Sequence, residues 1–239
     1  MENWKTEKLA AIYLEGVRGA IPFANEQMEI ILRLINSFKP DMASFLDLGC
    51  GDGILGRMIF SKWKDAKGVF VDYSEPMINA AKSKNEPFHN QSIFAVLDFG
   101  DAEWLTAVSK ELPVDVVISG FSIHHQPDHI KKRVYKEIFD QVLKPGGLFL
   151  NLEQVKSPTQ ELEAVFNEFF MDSMRKFQRE NNSSVSIENI EQGFYEDKKV
   201  NILSPVEEQC LWLRETGFTQ VDCYFKAFEM AIFGGVKPK

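Results

Sequence analysis

Cysteine is scarce: Cys50, Cys210 and Cys223 are the only three in 239 residues. An odd, widely spaced set gives neither a disulfide framework nor the close spacing of a zinc site. A reducing, cytoplasmic setting and no bound metal are therefore expected. Long apolar runs are also missing. No stretch approaches the roughly 18 apolar residues that a membrane helix needs, so no membrane partner is expected. The opening Met1-Glu2-Asn3-Trp4-Lys5 mixes charges where an export leader would need an apolar core. Basic residues are outnumbered, 27 Lys and Arg against 35 Asp and Glu, for a net charge of −8. Nucleic-acid affinity rests on neutralised phosphates, so that balance argues against nucleic acid as a partner without excluding a locally basic groove. Repeats and low-complexity tracts are absent. The length suits a single domain spanning 1–239, with or without a cap.

What the chain does have is phenylalanine, 20 residues, more than the expected core strands need, and one glycine-rich stretch. Phe45 to Gly56 reads Phe-Leu-Asp-Leu-Gly-Cys-Gly-Asp-Gly-Ile-Leu-Gly. Apolar Phe45, Leu46 and Leu48 predict a buried strand. Gly49, Gly51 and Gly53 predict a tight turn, and Ile54, Leu55, Met58 and Ile59 predict a helix. Strand, glycine turn and helix form a nucleotide-binding loop in which the backbone approaches the ligand and the helix offers its first N–H groups. Gly51-x-Gly53-x-x-Gly56 formally satisfies the dinucleotide fingerprint, with Asp72 at the expected spacing of about 20 residues. Asp47, just before the first glycine, argues otherwise: a carboxylate there repels a pyrophosphate and suits an ammonium. Asp52 adds a second negative charge. The charges favour S-adenosylmethionine, a cationic nucleoside without phosphate.

Asp47-Leu48-Gly49-Cys50-Gly51-Asp52-Gly53 resembles motif I of the class I S-adenosylmethionine-dependent methyltransferases. A second landmark, Leu143-Lys144-Pro145-Gly146-Gly147 before an apolar strand, follows in the expected order. The resemblance implies a doubly wound α/β fold of Rossmann type. Its seven-stranded sheet would be mostly parallel with an antiparallel C-terminal strand, and S-adenosyl-L-methionine would be the cofactor. Residues 1–40 would form an N-terminal helical cover. Residues 154–205, rich in helical spacing, would form a helical insertion that builds the acceptor pocket.

Site residues follow from strand ends and from the resemblance. Asp47, Asp72, Asp98, Ser119 and Glu153 all close separate strands at the edge where open α/β sheets bind ligands. Asp72 suits the ribose hydroxyls, and since Ser74 and Glu75 can start the next helix, it is not needed as a cap. The resemblance implies that Asp98 takes the adenine amino group, that Phe99 offers its backbone N–H, and that Tyr73 and Met77 lie near the adenine. It implies too that Arg18 pairs with the methionine carboxylate and Phe23 covers the site. A surface loop for Arg18 and core filling for Met77 are the alternatives. His124 and His125 follow strand four, where many related enzymes carry the same pair. Packing, hydrogen bonding and base chemistry are all open to them, and Glu153 faces the same edge.

The expected reaction is direct methyl displacement onto a small-molecule acceptor, for which the aromatic content of residues 160–195 suggests an apolar or aromatic compound. A homodimer is an open option. The segments around Arg18 and Phe225 to Phe233 are also similar to carboxy-S-adenosylmethionine synthase, an enzyme of tRNA wobble-uridine modification. The arginine that this family uses for the added carboxylate falls opposite Trp212, however, not Arg214. A nicotinamide-dependent oxidoreductase and a catalytically silent binding subunit are the remaining readings.

Overall fold

The computed structural model describes residues 20–181 and 186–239. Residues 1–19 of the expected N-terminal cover, Arg18 among them, lie outside the described residues. Seven strands form one sheet in the order β3-β2-β1-β4-β5-β7-β6. They are β1 (Ser44–Leu48), β2 (Lys67–Asp72), β3 (Ser92–Val96), β4 (Val114–Gly120), β5 (Leu143–Gln154), β6 (Thr219–Ala227) and β7 (Met230–Val236). Pairs among β1 to β5 are parallel, whereas β7 runs antiparallel to both β5 and β6. The helices are α1 (Ala24–Phe38), α2 (Ile54–Lys62), α3 (Glu75–Lys84), α4 (Trp104–Val108), α5 (Asp128–Glu137), α6 (Gln160–Asn181), α7 (Ile187–Lys198) and α8 (Val206–Thr216).

Central strands buried on both faces explain the near-continuous apolar runs of the sequence. Every residue of β4 is buried. Alternation along β1 sends Phe45 into the core under α1 and α2, and Leu46 and Leu48 into the core under α5 and α8. The chain builds β1, β2 and β3 outward, then returns to β4 on the other side of β1. The carboxyl ends of β1 and β4 therefore diverge into a crevice, the ligand position of such sheets.

One local expectation is corrected. The Lys144-Pro145-Gly146-Gly147 segment is not a turn ahead of a strand but an interruption within β5, where the register steps from Val114↔Leu143 to Val116↔Leu148. Before it, the chain leaves α geometry at Ile138 and closes in a wide turn over Ile138–Val142.

The insertion is held by aromatic pairs. Phe170 stacks on Phe194 at 4.8 Å, Phe169 on Phe23 at 5.9 Å, and Phe169 meets Phe228 at 5.5 Å. Phe166 is buried with Ile21 and Met230. Much of the phenylalanine surplus is thus the packing of the cap onto α1 and the β6–β7 hairpin. No helix among the described residues is long and apolar enough to cross a membrane.

Candidate cofactor and acceptor site

All three alternating glycines adopt left-handed backbone, with φ of 69° at Gly49, 53° at Gly51 and 75° at Gly53, a region that costs other residues about 1–2 kcal/mol each. Their surroundings differ. A Cβ at Gly49 would stand 1.8 Å from Ser122 Oγ, and one at Gly53 would stand 2.6 Å from Asn85 Nδ2. One at Gly51 would meet nothing within 4 Å. The outer two glycines are required by packing, and the middle one turns its bare backbone toward open space. Gly49 N and Cys50 N both donate to Val71 O, at 2.8 and 2.9 Å, which ties the loop to β2.

Asp72, at the end of β2, accepts from Gly51 N at 2.8 Å and from Ser74 N at 2.9 Å. Ser74 caps α3 through Met77 N, leaving Asp72 to the loop. Burial pushes the Asp72 carboxyl above its usual range, while the amides of Ser74 and Gly51 pull it back and the charge of Asp98 adds to the rise. Asp98 accepts from Gly100 N at 2.7 Å and lies 3.5 Å from Gln126 Nε2. Tyr73 is half-buried, whereas Met77 and Phe99 are buried. Phe23 begins α1 with φ of 60° and is 41 % exposed beside Phe169.

Three expected contributions change. Asp47 is fully buried and accepts from Gly56 N at 3.0 Å, in the first turn of α2. Its charge thus sits favourably at the N-terminal turn of α2. Asp52 pairs with Lys84 at 2.8 Å and Arg57 at 3.3 Å, so it adds no uncompensated charge. Ser119 is fully buried and donates to Leu48 O at 2.7 Å, joining β4 to β1 inside the sheet. The negative charges left at the strand ends beside the glycine turn are those of Asp72 and Asp98.

On the far side of β4, Glu153 is fully buried and holds His124 twice. Its Oε1 accepts the His124 backbone N–H at 2.9 Å, and its Oε2 meets His124 Nδ1. That contact orients the His124 ring through Nδ1. His124 O in turn accepts from Ile202 N at 2.9 Å. Ile202 is pinned by the buried Lys131, which reaches Ile202 O, Ser204 Oγ and Asp128. His125 packs against His124, ring centroids 4.2 Å apart. Burial first, then the neighbouring His124, pushes His125 down to about 2.

Sequence reading missed Gln126, Lys131 and Asn201. Gln126 directly follows the histidine pair and was within reach of the sequence argument. Lys131 reads as one more charge on an amphipathic helix. Asn201, which interacts with His125, comes from a distant loop with no local signature.

The residues fit S-adenosylmethionine: bare backbone at Gly51, an ionisable acceptor for ribose hydroxyls at Asp72, and a second acceptor at Asp98. Fold and crevice together are of the kind found in class I S-adenosylmethionine-dependent methyltransferases. Residues 45–147, less than half of the chain, match the family described as a methyltransferase domain, and together with the curated relatives this makes the chain an enzyme that uses S-adenosyl-L-methionine. Among curated proteins it is similar to the carboxy-S-adenosyl-L-methionine synthase of Nautilia profundicola, 21 % identical over 229 residues that cover 95 % of this chain and 91 % of that protein. Among solved structures it resembles an O-methyltransferase family protein from Burkholderia thailandensis, with TM-score 0.61, 16 % identity and 88 % of this chain covered. It also resembles human N-acetylserotonin methyltransferase in complex with SAM, with TM-score 0.56, 16 % identity and 91 % of this chain covered. The chain spans 56 % and 53 % of those two structures, so they bear on the fold alone.

Proposed function

We propose that this enzyme methylates a small-molecule acceptor. The observation that carries the reading is the open backbone at Gly51 set against the Asp72 carboxylate. When bound, the cofactor supplies a methyl group activated by its sulfonium. Asp72 would bind the ribose, and Asp98, Phe99, Tyr73 and Met77 the adenine end. Gly49 and Gly53 hold the turn, Asp47 fixes α2 from behind it, and Ser119 locks β1 to β4. Phe23 would help close the site, with Arg18 for the methionine carboxylate. His124, oriented by Glu153, is the group we assign to take a proton from the acceptor. His125 is too weak a base for that role and instead packs the turn.

A second reading, synthesis of a carboxylated cofactor, is favoured by the near full-length similarity to carboxy-S-adenosyl-L-methionine synthases. Against it stand the residues at the expected arginine position. Trp212 is buried under Lys132, whose Nζ lies 4.7 Å from the ring centroid. Arg214 donates to Val221 O at 2.9 Å, near Thr219, which pairs with Val236 at the edge of the sheet opposite the crevice.

Methyl-labelled cofactor incubated with the protein and a metabolite extract, followed by mass spectrometry, separates the two. Labelled acceptor together with S-adenosylhomocysteine supports methyl transfer. A cofactor product heavier by one carboxyl group supports the second reading. Cofactor binding without turnover of any compound leaves a silent binding subunit.

A further inference from the structure

A pocket of about 410 Å³ opens where the β5–α6 connection, the end of α7 and the β6–β7 turn meet. That volume suits a small-molecule site. Its wall is ionic. Glu229 is 1 % exposed and accepts from Ser157 Oγ and Gln154 Nε2, both at 2.7 Å. Lys198 lies 2.7 Å from Glu163 and 3.8 Å from Glu229, and donates to Asn167 at 2.6 Å. Lys156 also lines the pocket and makes no ion pair among the described residues.

Gln154 connects this wall to the histidine turn. Its N–H donates to Glu153 Oε2 at 3.0 Å, and its side-chain oxygen accepts from Asn201 at 3.1 Å. Glu229 and Lys198 are the most buried members, their side chains 1 % and 13 % exposed, whereas Lys156 is exposed and Glu163 partly so. A buried carboxylate and ammonium are poor stabilisers compared with apolar packing, so such a pair beside open space favours a ligand over folding as its explanation. Two lysines and two glutamates line it, which sum to no net charge. A ligand ion of either sign would enter uncompensated, and an apolar ligand would leave desolvated polar groups unmatched.

We propose that this pocket is the acceptor subsite and takes a small zwitterion, with its ammonium toward Glu229 and Glu163 and its carboxylate toward Lys156. The assignment as acceptor rests on the methyltransferase reading, whereas binding itself can be tested without turnover. It replaces the apolar acceptor suggested by the aromatic content of residues 160–195, because Phe166, Phe170 and Phe194 are occupied with one another.

The test is calorimetry on the whole chain, first with S-adenosylhomocysteine and then, on the saturated protein, with L-serine, L-glutamine, L-histidine, succinate, putrescine and indole. The expected result is saturable binding of at least one amino acid, millimolar or tighter. It should weaken about tenfold in Glu229→Gln and in the surface variant Lys156→Ala. Binding by none of the amino acids, stronger binding by succinate, putrescine or indole, or unchanged affinity in Lys156→Ala would overturn the assignment. Failure of the first titration would instead count against the cofactor reading.

Discussion

The amide of Gly51 donates to the carboxylate of Asp72 at 2.8 Å, joining the middle glycine of the loop to the acid that ends β2. One side chain thus fixes the turn and keeps acceptor capacity for a ligand. Replacing Asp72 by Asn removes the charge and one of two acceptors. S-adenosylhomocysteine affinity should fall roughly tenfold or more, from about 1.5–3 kcal/mol per charge-assisted bond. Because burial raises this carboxyl, the folded protein takes up the proton at a higher pH than an ordinary aspartate. Wild-type affinity should therefore start to fall above the usual carboxylate value of 3.8 as pH is lowered, and Asp72→Asn should lose that dependence. The same shift makes ionised Asp72 a cost to stability that grows as pH rises through the interval between the unfolded and folded values.

Gly49 and Gly51 share a left-handed backbone but should respond differently to alanine. Gly49→Ala adds a clash with Ser122 Oγ to the backbone strain and should lower the melting temperature clearly. Gly51→Ala carries only the strain, about 1–2 kcal/mol, and should stay folded while losing cofactor affinity. Thermal unfolding and calorimetry on both variants check this. Similar melting temperatures for the two would contradict the distinction.

Asp47 is a positioning residue in this structure. Asp47→Asn should destabilise the protein by about 1–3 kcal/mol in urea unfolding and weaken cofactor binding less than Asp72→Asn does. Unchanged stability with an equal loss of affinity would restore a direct contact with the cofactor.

The fold was legible because its signals are local. Buried strands read as apolar runs, and three alternating glycines need a left-handed turn whatever lies around them. The bulge at Lys144–Gly147 was not legible, since proline and glycines also mark an ordinary turn and only the pairing with Val114 and Val116 decides. The site was legible by position and less so by direction. Sequence places Asp47, Asp72 and Ser119 at strand ends but does not say which way each points. Asp47 turns toward α2 and Ser119 toward Leu48, whereas Asp72 reaches the loop. The Glu153–His124 contact joins β5 to the turn after β4 and was visible only as two candidates on one edge.

His125 should make the fold sensitive to mild acid. Its ring protonates near 6.5 when unfolded and only near 2 when folded, owing to burial and then His124. Between those values the unfolded chain binds the extra proton, so stability is full above 6.5 and falls as pH drops, by at most about 1.4 kcal/mol per unit. Urea unfolding at a series of pH values should show this slope in wild type and a shallower one in His125→Gln. Equal slopes would exclude His125 as the source.

The most direct measurement is calorimetric titration of the whole chain with S-adenosylhomocysteine and, separately, with NADH. One-site binding of S-adenosylhomocysteine, weakened roughly tenfold or more in Asp72→Asn, with no heat from NADH, is the expected result. Binding of NADH without binding of S-adenosylhomocysteine would contradict the assignment of this crevice.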